Sequence, residues 1–512
     1  MLASNAPVGS NTVAVNTRIT PGGLWAVLFG MRDDVDLVIV GLGSGGMTAA
    51  QFAVELGRTV VVAERHRVGG DCLWTGCVPS KALIASARVA HHLRHADRFG
   101  LPTSDAPIDL SAVWRRVRAV REEIASGDDD PARFRAMGID LALGEARLTG
   151  PNEVTITATD GSTRQVCAGL ILLCAGSRPT VPDVPGLVEA GYLTSETIFE
   201  LEEVPPRLVM IGGGPIAIEL AQACHRLGID VTVLQRAPTI LPRDEPELVA
   251  LLRHQLDAEG VVIHTGVEVV RVDPGPVVVG VADGVEQRWP TDGIVVAAGR
   301  TPNLEALGLE AVGVDANAQG VVVDERMRST VPSIYAAGDV AGRQLFTHAA
   351  TYQAVRALRD AWFPGKGKAD SIIPWATFTD PELAHAGMTA AEAAEEFGED
   401  AVVVHRWSLE HNDRAHADGS TGAIVLVEHQ RRTGSRIVGA HILAETAGEL
   451  IGELTLAIEQ ERSVSQLGSV VHVYPTIATS IQQLGGAAAT QTAIRYRWLM
   501  KATGAGRRTG GT

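Results

Sequence analysis

Lysine is almost missing from this sequence. The 512 residues carry four, at 81, 366, 368 and 501, against 40 arginines. Against such a background, a lysine inside a motif is there as lysine, since a flexible ammonium and a rigid guanidinium fork are not interchangeable. Aromatic residues make up only 4%, too few for the stacking platforms that hold single-stranded nucleic acid. The net charge of −16, with no basic stripe, repels phosphate backbones, so no nucleic-acid partner is expected. Five cysteines in so long a chain do not make a disulfide scaffold. Long apolar runs are lacking as well. The longest near the start, LWAVLFG at 24–30, falls far short of a membrane span and has no cleavage region after it. A cytoplasmic protein without a membrane partner is expected.

Glycine, by contrast, is abundant at 55 residues, and the length implies three or four domains. Residues 1–34 have neither helical nor strand period and read as a mobile leader, with Met31 a candidate start just before the first strand. The stretch DLVIVGLGSGGMTAAQFAVELGRTVVVAE then gives an apolar strand, a glycine turn, an amphipathic helix and a second apolar strand. This is a βαβ unit of a parallel sheet buried on both faces. RLVMIGGGPIAIELAQACHRLGIDVTVLQ repeats it without a gap: Gly41, Gly43, Gly46 and Glu64 map onto Gly212, Gly214, Ala217 and Gln235, each offset by 171. One G-x-G-x-x-G is a weak signal, but two in register with equal strand spacing point to two dinucleotide sites. The glycines let a diphosphate approach the backbone, and the helix N-terminus faces its charge.

The two copies differ at the end of the second strand. Glu64 suits a ribose diol, whereas Gln235 followed by Arg236 avoids repelling a 2′-phosphate, so the second site leans to NADPH over NADH. A solvated loop arginine is the other reading of Arg236. Two A-G-[SR]-x-P turns, at Gly176 and Gly299, suit crossings between nucleotide domains. Asp339, after a buried strand, fits either a polyol-binding carboxylate or a turn-capping one. Beyond 370 the text becomes a separate α+β domain with no nucleotide signature, and 491–512 reads as a flexible tail.

Cys72 and Cys77 lie in GGDCLWTGCVPSKAL. Pro79 and the helix-forming run after it put Cys77 just ahead of a helix N-terminus, with Lys81 one turn in. The helix dipole and the ammonium favour a low-pKa, reactive thiol. An inert disulfide and a zinc site are the alternatives, and zinc needs two further ligands that Cys167, Cys174 and Cys224 do not offer in paired spacing. Those three sit in apolar patterns and read as buried small hydrophobes. No resident metal site is expected.

The Cys72–Cys77 segment, both glycine motifs, both A-G turns, AAGDV and the terminal HVYPT together resemble the pyridine nucleotide-disulfide oxidoreductases over 35–490, most of all the mercuric-reductase-like branch. The resemblance implies an α/β fold of two Rossmann-like dinucleotide-binding domains plus a C-terminal α+β dimerisation domain. It implies FAD-binding segments at 35–185 and 300–370, an NAD(P)-binding domain at 186–299 and a dimerisation domain at 371–490. FAD would lie on Gly41, Gly43, Gly46 and Glu64 with Asp339 at its ribitol, and NADP or NAD on Gly212, Gly214 and Ala217. Electrons would pass through a Cys72–Cys77 disulfide, Cys77 against the flavin and Cys72 towards substrate, with Lys81 and Glu219 as an ion pair beside them. Glu219 stands mid-helix among apolar residues, where a carboxylate needs a partner.

The pattern breaks near the end. Disulfide-reducing relatives carry a histidine where Tyr474 stands and a glutamate where Thr479 stands. A phenol with a pKa of about 10 is a poor base near neutrality. His472, two residues earlier, is either an improvised base or a structural or interface histidine. Tyrosine here fits mercuric reductases, yet their C-terminal cysteine pair is absent from 491–512. The expected acceptor is a metal ion, quinone or disulfide reached in a homodimer. Dihydrolipoyl dehydrogenase activity and a redox sensor without a dedicated substrate are the alternatives.

Overall fold

Strand β1 (Asp33–Val40) enters the centre of a seven-stranded sheet, and Leu37, Val38 and Ile39 are wholly buried there. It lies parallel to β2 (Val60–Glu64) on one side and to β3 (Thr163–Leu173) on the other. Strands covered on both faces have no polar side to show, which is why they read as unbroken apolar runs. The antiparallel strand Glu145–Gly150, nearer the edge, instead alternates exposed and buried. Helix α1 (Ser44–Glu55) joins β1 to β2. The structure, a computed structural model, describes residues 33–363, 365, 367–495 and 497. Residues 1–32, with Met31, and the tail past 497 lie outside the described residues.

A second parallel sheet follows the order Val262–Thr265, β5 (Asp230–Gln235), β4 (Arg207–Ile211), Gly293–Val296, with α2 (Pro215–Arg226) between β4 and β5. The chain enters and leaves this unit through Ser177–Pro179 and Arg300–Pro302, which pair antiparallel as a two-stranded ribbon. It then returns to the first sheet, where Ile334–Ala336 pairs parallel with β3. From Trp375 a five-stranded antiparallel sheet forms, backed by α3 (Ala447–Glu459) and α4 (Thr479–Arg495). The fold is the expected mixed α/β arrangement with a separate α+β end.

Two boundaries differ from the sequence reading. β1 begins at Asp33, paired with Val166, inside the stretch assigned to the leader. α4 runs to Arg495, five residues into the stretch assigned to the tail. Within α4, a Cβ on Gly485 would lie 2.3 Å from the Gly468 amide, so the helix needs a bare backbone there.

Candidate active site

Both glycine turns meet one cavity of about 1270 Å³. Gly41 at φ +98° and Gly212 at φ +122° occupy backbone regions that side chains avoid. A Cβ on either would fall 2.4 Å from the Cys174 carbonyl or 2.3 Å from the Ala297 carbonyl. At the third position a Cβ on Gly46 would sit 2.0 Å from the Gly41 carbonyl, so helix and turn touch, while Ala217 packs fully buried in the second copy. Gly43 and Gly214, by contrast, border the open cavity.

A second cavity of about 910 Å³ adjoins the first along Gly43, Asp71, Thr75, Cys174 and Gly176, and its lining includes Glu64. Together their linings run from Glu64 at the end of β2, past the first glycine turn, to the cysteines. The bare backbone and terminal carboxylate fit an extended dinucleotide such as FAD. Glu64 Oε2 accepts from the Leu42 amide and Oε1 from the His66 amide, both at 2.7 Å. Each oxygen keeps one lone pair for a ribose diol. At the second turn Gln235 folds over the backbone, its Nε2–H donating to the Thr239 carbonyl at 3.2 Å, and exposed Arg236 borders the same cavity.

Cys72 and Cys77 are free thiols facing this cavity. Cys72 sits on the short helix Gly70–Trp74, and the helix Cys77–Arg94 begins at Cys77 itself, earlier than expected, so Cys77 is inside its first turn rather than ahead of it. A hydrogen bond from Cys72 stabilises the Cys77 thiolate, with the Thr347 hydroxyl and the Lys81 charge adding to it, and its pKa falls to about 6. The same bond, with burial, drives Cys72 upward. Cys77 Sγ lies 3.3 Å from Thr347 Oγ1. Of the other three, Cys224 is fully buried, and burial pushes both Cys224 and Cys174 up to about 12. Cys174 nevertheless borders both cavities, and Cys167 is half-buried, so these two are less enclosed than their apolar strand suggested.

Lys81 Nζ donates to Glu219 Oε2 at 2.8 Å, joining residues 138 apart in sequence. Glu219 Oε1 accepts the Phe378 amide at 2.8 Å, and the ammonium lies 4.2 Å from the Phe378 ring centroid. Asp339 lines the cavity as the acceptor of the Ser177 hydroxyl. It caps no helix, and burial raises its pKa against the opposing pull of Ser177 and Arg300. Gly176 and Gly299 flank the crossover ribbon and both border the cavity.

The terminal residues stand elsewhere. Tyr474 is 68% exposed, does not line the cavity, and donates its hydroxyl to Asp413 at 2.6 Å. His472 lies between Glu453 at 3.0 Å and the Val470 carbonyl at 3.1 Å, both ring nitrogens engaged within its own domain. Thr479 is buried and bonded to Asn412 and the Thr476 carbonyl.

Sequence reasoning passed over four residues at the site. Arg300 reaches Asp71 at 2.5 Å and Ser177 at 2.7 Å, binding the cysteine segment to the ribbon across 229 positions. Asp71 and Arg300 each adjoin a residue already singled out, but no local pattern pairs them. Thr347 and Trp375 carried no motif. Among the described residues no group of three His, Cys, Asp or Glu could hold a metal ion, and no helix is long and apolar enough to cross a membrane.

Residues 35–354 match the pyridine nucleotide-disulphide oxidoreductase family, and 373–484 match that family's dimerisation domain, which supports a homodimer. A dihydrolipoyl dehydrogenase of Rhizobium etli is 33% identical over 477 residues, covering 88% of this chain and 98% of that protein. A mercuric reductase of Streptomyces lividans is 35% identical over 461 residues, covering 87% and 94%. In fold, the chain is similar to a Cu(II) complex of the HOCl-induced flavoprotein disulfide reductase RclA from Escherichia coli, with a TM-score of 0.76 at 24% identity over 89% of this chain and 99% of that one. Family members use FAD and NAD(P)H. With its paired thiols at the meeting point of two dinucleotide-type units, this chain belongs to the pyridine nucleotide-disulphide oxidoreductases.

Proposed function

We propose that this protein is a mercuric-reductase-like, FAD-dependent NADPH oxidoreductase that passes electrons through Cys72 and Cys77 to an acceptor. The observation that carries the reading is geometric: Cys72 and Cys77 both face the cavity bordered by the two glycine turns, with Thr347 Oγ1 3.3 Å from Cys77 Sγ and the Lys81–Glu219 pair lining the same cavity. FAD would be held along Gly41, Gly43, Gly46, Glu64, Gly176 and Asp339 and would supply the two-electron chemistry that links a nicotinamide hydride to a disulfide. Opening the Cys72–Cys77 bridge takes two electrons and one proton. The proton stays on Cys72, Cys77 leaves as thiolate, and Lys81, anchored by Glu219, faces that charge. Gln235 and Arg236, with no carboxylate at the strand end, leave room for a 2′-phosphate.

The acceptor follows from what manages the Cys72 proton. Attack by Cys72 on a disulfide needs a nearby base of near-neutral pKa. Tyr474 is bonded to the Asp413 carboxylate, which raises its pKa above the ordinary phenol value. His472 is engaged by Glu453, which counts against the dihydrolipoyl dehydrogenase reading. A thiophilic metal ion binds sulfur and releases the proton to water, so such an ion, or a quinone, fits better than dihydrolipoamide. Turnover with mercuric ion, a quinone and dihydrolipoamide, driven by NADPH or NADH where a reductant is needed, tests this. The expected result is NADPH-dependent turnover of the first or second that is lost in Cys72→Ser. A fast dihydrolipoamide rate overturns it.

A further inference from the structure

Two arginines on the loop after β5 border the large cavity, Arg236 and Arg243, and among the described residues neither has an ion-pair partner. Arg243 lies instead over the ring of Trp375, 5.2 Å from its centroid. Trp375 comes from another unit: it opens the edge strand Trp375–Thr377 of the C-terminal sheet. Three contacts hold it. Its indole N–H donates to Asp244 Oδ1 at 2.9 Å, His385 stacks on it at 3.6 Å between centroids, and Phe346 lies nearly parallel at 5.8 Å. Asp244 and His385 are themselves buried, so the indole is held from the protein interior.

The loop is also fixed from its other side. The Leu241 amide donates to the Gly213 carbonyl at 2.9 Å, and Leu241 accepts a left-handed φ of +46° to make that bond. Such a conformation is strained for a residue with a side chain, so the bond has to hold it in place. The bond folds Pro242 and Arg243 back onto the glycine turn, where the N-terminus of α2 opens on the cavity. A guanidinium that makes no close ion pair, acts only through space on the buried Asp244 carboxylate, and is held on an aromatic face bordering the same cavity as the glycine turn, is suited to an anionic oxygen.

We propose that Arg243 contacts the diphosphate of the nicotinamide dinucleotide, and that Trp375 is a positioning residue that holds Arg243 there from the dimerisation domain. This rests on the reading of the second glycine turn as the NAD(P)H site. The tether to Gly213 selects the diphosphate over the 2′-phosphate, because the ribose end of the site lies at Gln235 and Arg236, the end of β5. Nucleotide affinity then depends on how the C-terminal sheet docks against the second nucleotide unit.

Calorimetric titration of the purified holoprotein with NADP⁺ and with NAD⁺ tests this in wild type, Arg243→Gln, Trp375→Ala, Trp375→Phe and Trp375→Ala/Arg243→Gln. Arg243→Gln is expected to weaken both nucleotides about tenfold or more and to reduce the salt dependence of binding. Trp375→Ala is expected to weaken both by less. Trp375→Phe, which keeps an aromatic face, retains most of the affinity, and the double variant binds like Arg243→Gln alone, since the indole acts only through the guanidinium. Unchanged binding in Arg243→Gln, a loss confined to NADP⁺, or fully additive losses in the double variant overturns the proposal. Wild-type protein that binds neither nucleotide instead overturns the dinucleotide reading beneath it.

Discussion

Cys72 and Cys77 are the same residue type five positions apart, yet their surroundings drive them in opposite directions. Cys77 opens a helix, receives the Cys72 hydrogen bond and faces Lys81, and its pKa falls to about 6. Below that value the Cys77 thiolate is protonated and the pair loses its charged sulfur, so reactivity is present above about pH 6 and fades as pH drops through it. Alkylation rate of the reduced protein against pH is expected to show this midpoint. Cys72→Ala, which removes the largest stabilising partner, is expected to move it upward, and an unmoved midpoint contradicts the pairing. Helix start, proline and lysine were legible around Cys77 because they are local. Thr347, 270 positions away, was not, since nothing near it in the chain marks its contact with sulfur.

At the scale of elements, the glycine turns and the ion pair do different work. Gly41→Ala meets both a left-handed φ and a Cβ 2.4 Å from a backbone carbonyl. It is expected to destabilise by about 2–3 kcal/mol and to lower retained flavin, read by melting temperature and by absorbance per protein. Lys81→Met leaves Glu219, 6% exposed, with only the Phe378 amide. Because Lys81 itself is over a third exposed, the expected cost is about 1–2 kcal/mol rather than that of a fully buried pair. Denaturant unfolding checks this, and Lys81→Arg is expected not to restore the site fully, as a planar fork does not replace a point charge over a ring. Both βαβ units were readable because strand, turn and helix follow one another in the chain. The end of α4 was not, because the glycine-rich composition of 491–512 does not show that the helix continues to Arg495.

For the whole molecule, the described chain leaves an apolar loop uncovered beside Tyr474: Val471 is 89% exposed and Val473 77%. Isolated exposed valines are ordinary, but two flanking His472 within the dimerisation domain mark a contact surface. Val471→Asp with Val473→Asp is expected to shift the protein from dimer towards monomer in sedimentation, and an unchanged dimer excludes the loop from the interface. The two glycine turns and the setting of the cysteine segment, with a helix start and a lysine beside it, were determined by the sequence itself, because each is a property of short consecutive segments with their own turn and helix chemistry. Only the tertiary structure decided which of those segments share a cavity, that Arg300 braces Asp71, and that a tryptophan of the C-terminal sheet stands against an arginine of the second nucleotide unit. Those contacts join residues more than a hundred positions apart, and they come from the packing of whole domains, which no local pattern encodes.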